Sequence, residues 1–166
     1  ETAAKSVMKL DIYEKERPVG IQIFGANLDS MLRSVDIVEK TNPDIIDINF
    51  GCPVKKVVCK GAGAGILKDI DKMEMLTREM AKRTKLPVTV KTRLGWDEKT
   101  IKIIEVSERI QDAGAKAITI HGRTRAQMYK GSADWSLISE VKNNQRMKIP
   151  VFGNGDVNSP EKAVEM

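Results

Sequence analysis

Histidine occurs once in these 166 residues, cysteine twice, and the aromatic residues together make up only 4%. Each scarcity excludes something. Cys52 and Cys59 cannot build a disulfide framework, so reduced thiols are the expectation. Two thiols separated by six residues and a distant His121 do not make a four-ligand site, so no metal is expected. No run approaches the roughly 20 apolar residues of a membrane span. The opening ETAAKSVMKLDIYEKERP also does not run from basic to apolar to small residues as a signal peptide does. The chain therefore reads as cytoplasmic, with no membrane association and no obligate protein partner. What is present is globular: 41% hydrophobic and 31% charged residues, enough for one domain with a core, with no linker visible. The formal charge of +5 permits a polyanionic partner without requiring one.

Five Val- and Ile-rich runs read as buried strands: VGIQIFG from Val19, IIDINF from Ile45, VTVKTR from Val88, AITIHG from Ala117 and IPVFGNG from Ile149. Between them lie helical spacings with one apolar face: Leu28, Met31, Leu32, Val35 and Val38; Met73, Leu76 and Met80; Ile101, Ile104 and Ile110; Trp135, Ile138 and Val141. Asp69 is placed to cap the second helix, Gly114 to close the third, and Ser159 with Pro160 to open a last one. This βα rhythm implies an α/β fold of parallel strands with right-handed crossovers.

An open doubly wound sheet and a closed barrel both satisfy that rhythm, and the polar residues favour the barrel. Gln22, Asn49, Lys91, His121 and Asn154 sit at the ends of five different strands. A TIM-type (β/α)8 barrel converges those ends on one mouth, whereas an open sheet spreads them along an edge. The chain is thus expected to be a barrel fragment of about five βα units with strands missing at both ends. It opens on a helix-like TAAKSVMK and stops inside another helix.

Cys52 lies between Gly51 and Pro53, which break the strand and leave the thiol on a loop at its C-terminal end. Cys59 has no such setting and reads as structural. In KKVVCKGAGAGILKD, the glycines at positions 61, 63 and 65 weakly resemble a phosphate cradle. A loop separates them from the strand, so a flexible loop over the mouth is the plainer reading. Lys55, Lys56, Lys60 and Lys68 could meet phosphates or face solvent. Lys91 and Arg93 point the same way from one strand, where an unpaired buried charge is costly, which favours a binding role. His121 is followed by Arg123, Arg125 and Lys130, and the glycine-rich GNGDVNSPEKA offers backbone N–H groups suited to a phosphate.

Together INFGCPVKKV, VKTRLGWD, ITIHGRTRAQMYKGSADW and PVFGNGDV resemble the tRNA-dihydrouridine synthases, flavoproteins built on an FMN-binding eight-stranded barrel; the similarity runs from about Pro18 to the chain end. The resemblance implies one partial catalytic domain over residues 1–166, without the first and last strands and without the C-terminal helical domain that helps grip tRNA. It implies reduction of tRNA uridines to 5,6-dihydrouridine, with hydride from reduced FMN to C6 and a proton from Cys52 to C5. NADPH or NADH is the implied electron donor. Gln22, Lys91, His121, Asn154, Gly155 and Asp156 match FMN-contact positions. Asn49 is expected to orient the uracil edge, and Lys55, Lys56, Arg123 and Arg125 to form a basic rim for RNA phosphates. A flavin barrel acting on a free pyrimidine, like dihydroorotate dehydrogenase, and a non-catalytic RNA-binding module are the alternatives.

Overall fold

Each apolar run that reads as a strand forms one in the computed structural model, which describes residues 10–166; the helix-like TAAKSVMK stretch lies outside the described residues. The order is β1 (Gly20–Ile23), α1 (Leu28–Glu39), β2 (Ile45–Asn49), α2 (Lys55–Val58), α3 (Ile70–Arg83), β3 (Val88–Arg93), α4 (Ile103–Asp112), β4 (Ala117–His121), α5 (Ser136–Asn143), β5 (Val151–Asn154) and α6 (Pro160–Glu165). The helix ends follow local chemistry. Asn27 and Asp69 accept the backbone N–H groups of Ser30 and Lys72, Ser159 accepts that of Lys162 ahead of Pro160, and Gly114 (φ +108) turns the chain out of α4. Among the described residues no helix is long and apolar enough to cross a membrane, and no group of three or more His, Cys, Asp or Glu residues is placed to hold a metal.

The five strands are parallel and lie in sequence order, each paired only with its neighbours in the chain. A doubly wound sheet must reverse its order at a switch point so that helices cover both faces. Here there is no reversal, and same-handed crossovers put α1, α3, α4 and α5 on one face. The other face is left to curl on itself, which is the arrangement of a (β/α) barrel, here five consecutive units of one.

The helix-covered outer face holds the core. Ile46, Ile48, Val88, Val90, Ile118 and Ile120 are buried beneath Met31, Val35 and Val38 of α1, Met73, Leu76 and Met80 of α3, Val106 and Ile110 of α4, and Ile138 and Val141 of α5. Each such side chain contributes about 1.5–3 kcal/mol. In α4 the buried stripe is Ile103, Val106, Ser107 and Ile110, and Ile104 is 37% exposed. The spacing of Ile101 and Ile104 misled because Ile101 precedes the helix and does not set its face.

Candidate active site

Because strand side chains alternate, residues opposite the core line the inner face, and the register fixes which of them meet. Gln22 aligns with Asp47 and Asp47 with Thr89; one step higher Asn49 aligns with Lys91, and at the top Arg93 aligns with His121 and His121 with Asn154. The five polar strand ends therefore do converge. Gln22, Asn49, Lys91, His121 and Asn154 line one open pocket of about 470 Å³ with Gly51, Cys52, Pro53, Val54, Arg93 and Tyr129.

The thiol loop is built by its neighbours. Asn49 Oδ1 accepts the N–H groups of Gly51 and Cys52, both at 2.9 Å, which curls the chain immediately after β2. Arg93 Nε donates to Gly51 O at 2.9 Å, and its Nη1 donates to Thr124 O at 3.1 Å and Met128 O at 2.8 Å, joining the β2 and β4 loops. Ala64 N donates to Cys52 O at 2.9 Å. Gly63 adopts φ +54, and a Cβ there would lie 2.8 Å from Cys52 O. The glycine segment is therefore no phosphate cradle. It is a short 3₁₀ turn, Gly63–Lys68, that packs against the backbone of Cys52, and lack of side chains is what permits the approach. Cys52 is half-buried against the pocket, whereas Cys59, read as structural, is exposed at the end of α2.

The pocket is electropositive. Lys91 Nζ donates to Asn154 Oδ1 at 3.1 Å. Burial, with Arg93 nearby, pulls the Lys91 ammonium below the usual lysine range, and Asp47 partly offsets this. Arg93 is 3% exposed and among the described residues bonds only carbonyl oxygens, with no carboxylate to match its charge. Burial and the adjacent Arg93, Lys91 and Arg123 push His121 down to about 4, so its ring is neutral at pH 7. His121 is 8% exposed, and among the described residues its Nδ1 has no hydrogen-bond partner.

Just beyond the pocket, Gly155 (φ +121) and Asp156 (φ +59) form a left-handed turn after β5. Trp135 holds it, donating from Nε1 to Gly155 O at 2.9 Å while its ring fills the space where Gly153 would carry a Cβ. Asp156 accepts Ala133 N at 2.7 Å and Arg123 at 2.7 and 2.9 Å, and those bonds hold its carboxyl below the usual range.

The basic rim divides. Lys55 and Lys56 are exposed on α2, two residues beyond the thiol loop's Pro53. Arg123 is not on the rim: it is 6% exposed and also bonds Lys130 O at 3.2 Å and Gly131 O at 2.6 Å, so it braces the β4 loop against the Asp156 turn. Arg125 lies half-buried 4.6 Å from the centre of the Trp96 ring, which Lys68 approaches at 3.7 Å. Sequence reasoning missed Asp47 and Tyr129. Asp47 was detectable as the inner-face residue two before Asn49; Tyr129, 70% exposed beside Arg93, carries no local signal of its position.

Residues 2–166 match the family model described as dihydrouridine synthase. The chain is 43% identical over 158 residues to "Probable tRNA-dihydrouridine synthase 1" of Synechocystis sp., covering 95% of this chain and 43% of that protein. It is 40% identical over 153 residues to tRNA-dihydrouridine synthase B of Vibrio vulnificus, covering 92% of this chain and 47% of the relative. The chain thus spans less than half the length of these curated relatives. A crystal structure of a lactate oxidase from Pediococcus acidilactici superposes with a TM-score of 0.54 at 18% identity, over 83% of this chain and 42% of that one, which shows the fold alone.

Proposed function

The chain belongs to the dihydrouridine synthase family, and on that premise we propose that the full-length protein reduces uridines of tRNA to 5,6-dihydrouridine with FMN as its redox cofactor. The observation that carries this reading is the presence of a loop thiol, Cys52, in the same pocket as Lys91, His121 and Asn154.

The residues present fit FMN. The Nδ1 of His121 is buried without a partner, a costly state that a polar ligand relieves. A Cβ at Gly155 would lie 3.3 Å from His121 Cε1, so the glycine keeps that approach open. The φ-positive Gly155–Asp156 turn suits a phosphate held by backbone N–H groups. Lys91, His121 and Asn154 would hold the isoalloxazine and ribityl portions, with Gln22 at the β1 side. FMN, reduced by NADPH or NADH, supplies the hydride that C6 of uracil accepts.

This chain's own part is charge and proton placement. Hydride addition at C6 leaves negative charge over C5 and the C4 carbonyl, and C5 must then take a proton. Cys52 is the general acid, its S–H donating to C5. The Lys91 ammonium would stabilise negative charge on a reduced flavin held in this pocket, as an oxyanion-hole donor does. Asn49 has committed its Oδ1 to the thiol loop and one Nδ2 hydrogen to Gln22 Oε1, so the second Nδ2 hydrogen is the one left to meet a carbonyl of the base. Lys55 and Lys56 meet RNA phosphates as the uridine is turned out of its stack.

The test is to purify the full-length protein, identify its bound flavin by absorbance and mass, and supply NADPH with either unmodified tRNA or free uridine and orotate. Bound FMN with dihydrouridine formed only in tRNA is the expected result. Turnover of the free pyrimidines would replace the RNA substrate, and a protein that binds tRNA with no flavin would remove the catalytic reading.

A further inference from the structure

Asp47 sits on the inner face two residues before Asn49 and takes two short hydrogen bonds. Gln22 Nε2 donates to its Oδ2 at 2.6 Å and Thr89 Oγ1 to its Oδ1 at 2.6 Å. The chain of contacts continues upward. Asn49 Nδ2 donates to Gln22 Oε1 at 2.7 Å, and Asn49 Oδ1 accepts the Gly51 and Cys52 amides. Its sense is forced at both ends. A carboxylate only accepts and a peptide N–H only donates, so each of the two side-chain amides between them satisfies both neighbours in a single orientation.

We propose that Asp47 is a positioning residue for the Cys52 thiol, acting through Gln22 and Asn49. Gln22 lies on an exposed position of β1, where a lone amide would sample several rotamers. Asp47 fixes it, Gln22 in turn supports Asn49 from the side, and Asn49 carries the turn from which the thiol projects. Thr89 occupies the second carboxylate oxygen, which leaves the other for Gln22. The relay spans β1, β2 and β3 at the Asp47 level and climbs one level to Asn49, so the thiol's position is tied to strand register and not only to its own loop. Its importance for turnover rests on Cys52 being the proton donor; its existence does not.

The test uses alkylation, which reports thiol position without turnover. The full-length protein is treated with iodoacetamide, and peptide mass spectrometry follows Cys52 with exposed Cys59 as internal reference. Asp47→Leu, which keeps the volume and removes the acceptors, is expected to raise the Cys52:Cys59 rate ratio about fivefold, the worth of one hydrogen bond. Gln22→Leu should raise it equally, and the double variant no further, because both changes cut one relay. In Asp47→Asn the amide oxygen still accepts from Gln22 while the NH₂ donates to Thr89, so the ratio stays within about twofold of wild type. An unchanged ratio in both leucine variants, additive effects in the double, a ratio in Asp47→Asn as high as in Asp47→Leu, or both cysteines speeding up together would overturn the proposal. If Asp47→Leu does not fold, Gln22→Leu, compared with wild type at equal flavin occupancy, decides alone. Full turnover in Cys52→Ala would sink the catalytic reading and leave this result standing.

Discussion

Ile46 and Ile48 on one face of β2 and Asp47 and Asn49 on the other are neighbours in sequence and opposites in role. The first pair is fully buried under helices; the second is half-buried and held by side-chain and loop hydrogen bonds. The outer face gains stability from area removed from water, which any well-fitting aliphatic residue supplies. Stability on the inner face depends on each donor finding its acceptor, so identity matters there and volume matters less. One strand therefore holds the fold with its outward-facing residues and lines the candidate site with the rest. Substitutions on the two faces should fail in different ways.

The sharpest contrast comes from the inner side. Cys52→Ala in the full-length enzyme should keep its FMN and its NADPH-dependent bleaching, yet lose dihydrouridine formation by about 10²–10⁴-fold, as expected for a missing general acid. Cys59→Ala should change neither. Measuring flavin occupancy, NADPH oxidation and product on both variants separates a catalytic thiol from a structural one, since a structural loss lowers activity only in proportion to bound flavin.

Ile118→Ala supplies the outer-face counterpart. It removes a fully buried side chain from the centre of the sheet, and should lower unfolding free energy by about 2–5 kcal/mol in denaturant titration. Turnover per bound flavin should stay near wild type. A large per-flavin loss in Ile118→Ala would show that the two faces are not separable in the way their burial implies.

The two faces also differ in how far sequence alone reveals them. The outer face was legible because Val and Ile at alternate positions have one physical use in parallel strands, and the five runs became β1 to β5 with little change in boundary. Polar residues at five strand ends were legible for the complementary reason, since a buried strand tolerates them only at a mouth. Long-range pairing was not legible. Arg123 reads as a rim cation until Asp156, 33 residues later, is seen to hold it, and the Gly63 segment reads as a flexible loop until it is seen packed against Cys52. Nothing local announces either partner.

Acid should act through His121. Its folded value of about 4 lies below the ordinary 6.5, so between those pH values the unfolded chain binds the proton and the folded one does not. Stability of the flavin-free full-length protein should therefore be level above pH 6.5 and fall as pH drops toward 4, by at most about 3 kcal/mol. His121→Gln should flatten that part of the profile. Unaltered acid sensitivity in the variant would assign the effect to carboxylates such as Asp156, whose stabilising contribution is lost at lower pH still.

The smallest effect sharpens the comparison at the rim, where exposed and buried cations stand side by side. Lys55 and Lys56 are exposed on α2, so each phosphate contact they make releases counterions, and replacing both with alanine should flatten the log–log salt dependence of tRNA binding by about one to two ions. Exposed lysines on a short helix contribute little to folding, so the melting temperature should barely move. Arg123→Ala should do the reverse: its guanidinium is already spent on Asp156 and two carbonyls, so removal unseats the β4 loop and the Asp156 turn and lowers stability while leaving the salt slope unchanged. Filter binding across a salt series on the two variants decides between them, and a slope change in Arg123→Ala alone would place the RNA contact at the buried arginine instead of the lysines.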